Sequence, residues 1–182
     1  MKLGALKKVD LRKIWYHEAH DFTKWLAKEE NISKLTEELD IDIENIIPEA
    51  SSGRYNVDIL ANEVHTGKKV IIENQLEVTD HKHLGQILTY ASGHDASIII
   101  WLVKDYREEH KQSIDWFNVN MAEAISFFLV KIESSKSLCC NECKDHLLMS
   151  ESSMPHQPKN LRQFLLMFLP NLNPHLKLQL KQ

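Results

Sequence analysis

Asp58 and Glu73 are acids in stretches that otherwise read as core strand. Two β-rich runs, 55–64 and 69–75, flank His65-Thr66-Gly67-Lys68, which has the composition of a hairpin turn with Gly67 free to take a positive φ. In the first run Tyr55, Val57, Ile59 and Ala61 share one face, with Asn56, Asp58 and Leu60 on the other. In the second, Val70 and Ile72 share one face, with Ile71, Glu73 and Gln75 on the other. Antiparallel pairing can set the two carboxylates side by side. A buried carboxylate is costly unless it is paired, hydrogen-bonded or bound to a metal, and two together repel unless a cation lies between them. The chemistry expected is a Mg²⁺ site, in which one or two carboxylates hold an ion that keeps several waters and accepts phosphate oxygens.

The stretch that follows must position a second set of polar groups. In residues 79–93, Leu84, Ile87, Leu88 and Ala91 fall at i, i+3, i+4, i+7, the apolar stripe of a helix. Thr79 or Asp80 can cap its start and Gly93 its end. His83, Gln86 and Tyr90 follow at spacings of three and four, so they line a neighbouring polar stripe. The first turn also carries Lys82, which with His83 is available for phosphate contact. Arg54, in the turn-rich Ser51-Ser52-Gly53-Arg54, is another candidate phosphate contact.

An Asp on one strand and Glu-x-Lys on the next resembles the PD-(D/E)xK motif of restriction-endonuclease-like nucleases. The matching residues are Asp58 and Glu73-Asn74-Gln75, with Gln75 where that family usually has Lys and Val57 where its name has Pro. Gln86-x-x-x-Tyr90 resembles the QxxxY element of RecB-like members of the same superfamily. The wider run, KVDLRKIWYHEAHDFTKWL, VDIL, IENQLEVTDHKHLGQILTYA and IIIWLVKDYREEHKQSIDWFN, is similar to a bacterial family of small predicted nucleases. The resemblance covers residues 2–132. It implies a restriction-endonuclease-like α/β fold, a mixed central sheet flanked by helices on both faces. It also implies a Mg²⁺- or Mn²⁺-dependent hydrolase of phosphodiester bonds, with DNA as the expected partner. On that resemblance Asp58 and Glu73 ligate the ion, and Glu18, at the start of the first helix, is a candidate third carboxylate. Gln75 holds the attacking water or a phosphate oxygen, and Gln86 and Tyr90 position the strand. Restriction-like domains commonly act in pairs, so a homodimer is open. Because Gln75 is neutral and cannot take a proton as Lys can, the alternative is an inactive nuclease fold that binds nucleic acid or protein.

Length and composition set the frame for these residues. The chain has 182 residues, enough for one domain with an appendage. A net charge of −4 argues against a broadly basic coat for nucleic acid but leaves local contacts open. The first residues lack an apolar stretch of signal-peptide length and no run reaches membrane-span length, so the expectation is a cytoplasmic protein with no membrane partner. The three cysteines, Cys139, Cys140 and Cys143, do not form a secreted disulfide framework. Cys140-x-x-Cys143 with His146 lacks the second ligand pair of a zinc finger.

In chain order, residues 1–10 form a basic lead and residues 17–39 a helix in two pieces, capped by Asp21 or Thr23. Residues 41–50 form a central strand with Glu49 at its end, an acid read as solvated. The continuous apolar run 96–103 predicts a strand covered on both faces. Asp105 with Glu108 has the spacing of a capping box for the next helix, in which Trp116 and Phe117 are expected core. Residues 125–132 close the sheet. The order of elements predicts a mixed sheet with helices on both faces. Residues 1–133 are expected to form the nuclease-like domain, and 134–182 a divergent tail that is either weakly structured or a short docking helix at 161–169.

Overall fold

The structure, a computed structural model, describes residues 6–52, 55–121, 125–137 and 146–153. Arg54, the Cys140/Cys143 pair and the segment 161–169 lie outside the described residues, as does the His146 side chain. The chain runs as β1 (Leu6–Val9), α1 (Leu11–Ile14), a π-helical turn (Glu18–Thr23), α2 (Lys24–Leu26) and α3 (Glu29–Leu39). There follow β2 (Ile43–Ser52), β3 (Tyr55–Glu63), β4 (Lys69–Val78) and α4 (His81–His94). The remainder is β5 (Ile98–Asp105), α5 (Glu108–Asn120), β6 (Ser126–Ser137) and β7 (His146–Ser153). No helix among the described residues is long and apolar enough to cross a membrane.

The fold is α/β around one mixed seven-stranded sheet ordered β1-β6-β5-β4-β3-β2, with β7 also on β6. β2, β3 and β4 form an antiparallel meander, while β4, β5 and β6 run parallel. β5 accounts for the apolar run: Ile98 to Val103 are all buried because both faces are covered by helices. Its even-numbered residues Ile98, Ile100 and Leu102 join one core with Leu11, Trp15, Phe22, Leu26, Ile32, Leu35 and Leu39 from the N-terminal helices. The odd-numbered Ile99, Trp101 and Val103 join a second core with Ile87 and Ala91 of α4 and Ile114 of α5. Period-two alternation in one strand thus feeds two helical layers.

Several local expectations are revised. Residues 41–50 contribute to β2, which is the edge strand rather than a central one. α4 runs past Gly93 to His94, and Asp95 makes the left-handed stop with φ 55°. Asp105 ends β5 and binds Lys131 Nζ at 2.9 Å, so Arg107, without a side-chain cap, precedes α5. Trp116 is 59 % exposed, whereas Phe117 stacks on Phe127 with ring centroids 5.5 Å apart. β6 extends beyond residue 132 to Ser137, where residues 134–137 pair with β1. β7 pairs with residues 129–135 on the opposite edge of β6. The sheet therefore continues past residue 133, and Met149 of β7 packs against the first core.

Candidate metal and phosphodiester site

The candidate site forms where β3 and β4 come apart. Their ladder pairs Asn62 with Lys69 and proceeds to Ile59 with Ile72. The next pair in that register is Asp58 with Glu73, and there the ladder stops. Beyond it the β4 amides at alternate positions have no strand partner, and an unpaired buried N–H must be satisfied another way. Carboxylates do so. Asp58 Oδ2 accepts from the Asn74 N–H at 2.8 Å, and Glu18 Oε2 accepts from the Leu76 N–H at 2.5 Å. Asp58 thus fills a vacated ladder position from β3, and Glu18 reaches the same edge from the helical layer across the sheet.

The π-helical turn brings Glu18 there. Such turns add a residue to the helical ring and redirect side chains. This one opens with Asp21 Oδ2 accepting from the His17 N–H at 2.8 Å. Its last residue, Thr23, is fully buried, and instead of capping a helix it accepts from Asn74 Nδ2 at 2.9 Å. Glu18 is also held by Arg12, whose Nη2 lies 3.3 Å from Oε2.

Burial dominates the electrostatics of the pair. It pushes the Asp58 carboxyl up to about 7, helped by the charges of Glu18 and Glu49 and opposed by the Asn74 N–H. Glu73 is pushed up to about 9, first by burial and then by the Asp58 charge, while the Asp58 backbone N–H partly offsets this. Glu73 Oε1 is buried with no hydrogen-bond partner. Glu49, read from the sequence as a solvated acid, lies on β2 beside Asp58 in the β2–β3 register, with a left-handed φ of 51°. Its carboxylate is exposed yet close enough to raise both buried acids.

Gln75 is 2 % exposed and sits two residues beyond Glu73, on the face that packs towards α4 and α5. Its Nε2 donates to the Val78 carbonyl at 2.9 Å and to Asp80 Oδ2 at 2.8 Å, while its Oε1 is buried without a partner. Asp80 is the N-cap of α4: Oδ1 accepts from the His83 N–H at 2.8 Å and Oδ2 lies 2.7 Å from His83 Nδ1. Those hydrogen bonds, the His83 N–H foremost, lower Asp80 to about 2. His83 therefore anchors a carboxylate with its ring, and Lys82 beside it is exposed. On the same helix Gln86 Nε2 and Tyr90 Oη are 3.4 Å apart, so the stripe expected from the spacing forms.

The structure thus brings Asp58, Glu73 and Glu18 to one strand opening, with Asn74, Thr23 and Glu49 beside them, while Gln75 lies two residues further along β4, held by Asp80. Asn74 and Thr23 carry no sequence signal, because their bond joins residues 51 positions apart. Asp80 could be found as a helix cap but not as the partner of Gln75. The donor set is all oxygen, as Mg²⁺ or Mn²⁺ prefers, and the orphaned Glu73 Oε1 fits a cation. Among the described residues, no three His, Cys, Asp or Glu side chains converge as a complete ligand set. No protein-family model matches the chain, and no curated protein matches it.

Proposed function

We propose that the chain is a restriction-endonuclease-like, divalent-metal-dependent hydrolase of nucleic-acid phosphodiester bonds, with DNA the substrate to test first. The observation carrying this reading is the Asp58–Glu73 pair: two facing acids at the point where two core strands separate, both held well above the usual carboxylate range. Such a pair is unfavourable alone and gains by holding a cation. Bound there, Mg²⁺ or Mn²⁺ would polarise a phosphate oxygen and lower the pKa of an attached water.

The chain's own residues divide the remaining work. Asp58 and Glu73 would hold the ion; Glu18, fixed by Leu76 N–H and Arg12, adds negative charge at its edge. Gln75, two residues after Glu73 on the same strand, would add a polar group next to the pair. Lys82 and His83, on the first turn of α4, lie where a helix N-terminus favours phosphate. Gln86 and Tyr90 offer a hydrogen-bonding pair further along α4 for the strand. Cleavage of single-stranded, duplex, flap and junction DNA, with matched RNA substrates, would be measured with and without Mg²⁺ or Mn²⁺. Metal-dependent cutting lost in Asp58→Asn is expected, and cutting that survives this substitution would refute the site.

A second reading rests on Gln75. The second residue after Glu73 is a neutral amide where the resembled family has an ammonium to stabilise charge developing on phosphate, a loss that can cost about 10²–10³ in rate. A nuclease fold that binds nucleic acid or protein without cutting it is the reading favoured if the wild-type chain binds the panel but leaves it intact.

A further inference from the structure

Gln75 has an orientation with chemical consequences. Both groups around its nitrogen, the Val78 carbonyl and the Asp80 carboxylate, are acceptors only. Hydrogen-bond logic therefore fixes which end of the amide is which. The nitrogen must face Val78 and Asp80, and both of its protons are engaged. The opposite end is an oxygen, buried and without a donor, in a side chain that is 2 % exposed. Two residues earlier on the same strand face, Glu73 Oε1 is likewise buried without a donor. Buried acceptors left unmatched are uncommon. Trp101 Nε1, a buried donor also without a partner, stands beside Glu73 in the β4–β5 register, so this face offers two acceptors and one donor to a shared ligand such as a cation with its waters.

We propose that Asp80 is a positioning residue that locks the Gln75 amide with its carbonyl oxygen towards the Asp58–Glu73 opening, so that Gln75 is an oxygen ligand of the divalent cation or of its inner water. This rests on the metal-site reading above and adds the residue that completes the ligand set. A neutral amide oxygen suits a hard cation and adds no further repulsion to the two acids. It also bars Gln75 from donating to a phosphate oxygen, because neither amide proton is free. The position where the resembled family places a cationic donor becomes an acceptor, turned by a carboxylate that also caps α4.

The test is Mn²⁺ binding, by calorimetry and by the electron paramagnetic resonance of free Mn²⁺, on full-length wild type and variants. Asp80→Asn keeps the oxygen that caps His83 N–H but replaces the one that accepts from Gln75. Gln75→Met keeps side-chain length and removes the oxygen. Each is expected to weaken Mn²⁺ binding about 10–100-fold, the usual effect of losing a group that orients a ligand. Thermal unfolding run in chelator controls for folding, and Asp80→Ser, which retains a cap, replaces Asp80→Asn if that variant is unstable. Mn²⁺ affinity unchanged in both folded variants, but lost in Asp58→Asn and Glu73→Gln, would overturn the role of Gln75 and leave the site reading standing. Absence of Mn²⁺ binding in wild type would overturn both.

Discussion

Replacing Asp58 with Asn should make the metal-free protein more stable at alkaline pH and no more stable in acid. The substitution keeps an oxygen for the Asn74 N–H and removes the charge. In the folded chain the Asp58 carboxyl is raised from 3.8 to about 7, chiefly by burial. A raised carboxyl is protonated in the folded state where the unfolded state is already ionised. Its contribution is therefore complete below the unfolded value and is lost as pH climbs towards 7. At about 1.4 kcal/mol per pH unit the full rise corresponds to about 4 kcal/mol. Asp58 is mostly but not wholly buried, so residual solvent screening and relaxation reduce the expected loss to ~2 kcal/mol. Glu73, raised from 4.5 to about 9, loses its own contribution over the same range, but it does so in both proteins and largely cancels from the comparison. Thermal unfolding in chelator at pH 5 and pH 8 measures the effect, with midpoints moving roughly 2–4 °C per kcal/mol for a chain of this size. The variant should exceed wild type by roughly 4–8 °C at pH 8 and by about a third of that at pH 5, the gap closing only as pH falls to the unfolded value. An equal gap at both pH values would refute the electrostatic argument.

Three other outcomes follow from the same geometry. Mn²⁺ at a hundred times its dissociation constant should stabilise wild type at pH 8 by about 2.7 kcal/mol and Asp58→Asn by much less, read from the shift in unfolding midpoint. Thr23→Val should cost about 1–3 kcal/mol, because Asn74 Nδ2 is left buried without an acceptor; urea unfolding measures it, and a cost near zero would show that water replaces the hydroxyl. Ending the chain before β7 should abolish the cooperative transition or yield insoluble protein, since it bares the β6 edge from Leu129 to Ser135 and removes Met149 from the core; an unchanged transition would show that β7 is dispensable.

Much of the central architecture was legible because periodicity is a local property. The hairpin around Gly67, the α4 stripe with its Asp80 cap and the doubly covered β5 each follow from a short window of residues. The acids stood out for the same reason, as charges inside apolar strands. What the sequence hid was long-range. Glu18 is a candidate only through the resemblance, since its local context is that of a first-turn acid, and it takes a π-helical turn to deliver it to the Leu76 amide, 58 positions away. The Asp105-x-x-Glu108 spacing imitated a cap, but pairing with Val78 of β4 carried β5 through to Asp105, and Lys131 took its carboxylate. Trp116 and Phe117 are neighbours of similar hydrophobicity, and only the position of Phe127 decides which one is covered. Glu49, at the end of a strand run, carries no local sign of its place opposite Asp58, which follows from the β2–β3 register beyond the bulge between Glu44 and Ile47.

The short strand β1 has a consequence for the order in which the molecule is completed during synthesis. Its residues pair with the last part of β6, and Lys8 meets Glu133 from 125 positions away. The hairpin carrying Asp58, Glu73 and Gln75 can close as soon as it leaves the ribosome, since its ladder joins neighbouring strands. The arm that carries Glu18 cannot be anchored at its root until β6 has emerged, nearly the whole described chain later. The pair Asp58–Glu73 thus depends on a local hairpin, whereas the strand at the root of the Glu18 arm depends on the far end of the sheet, even though Glu18 itself is held by β4.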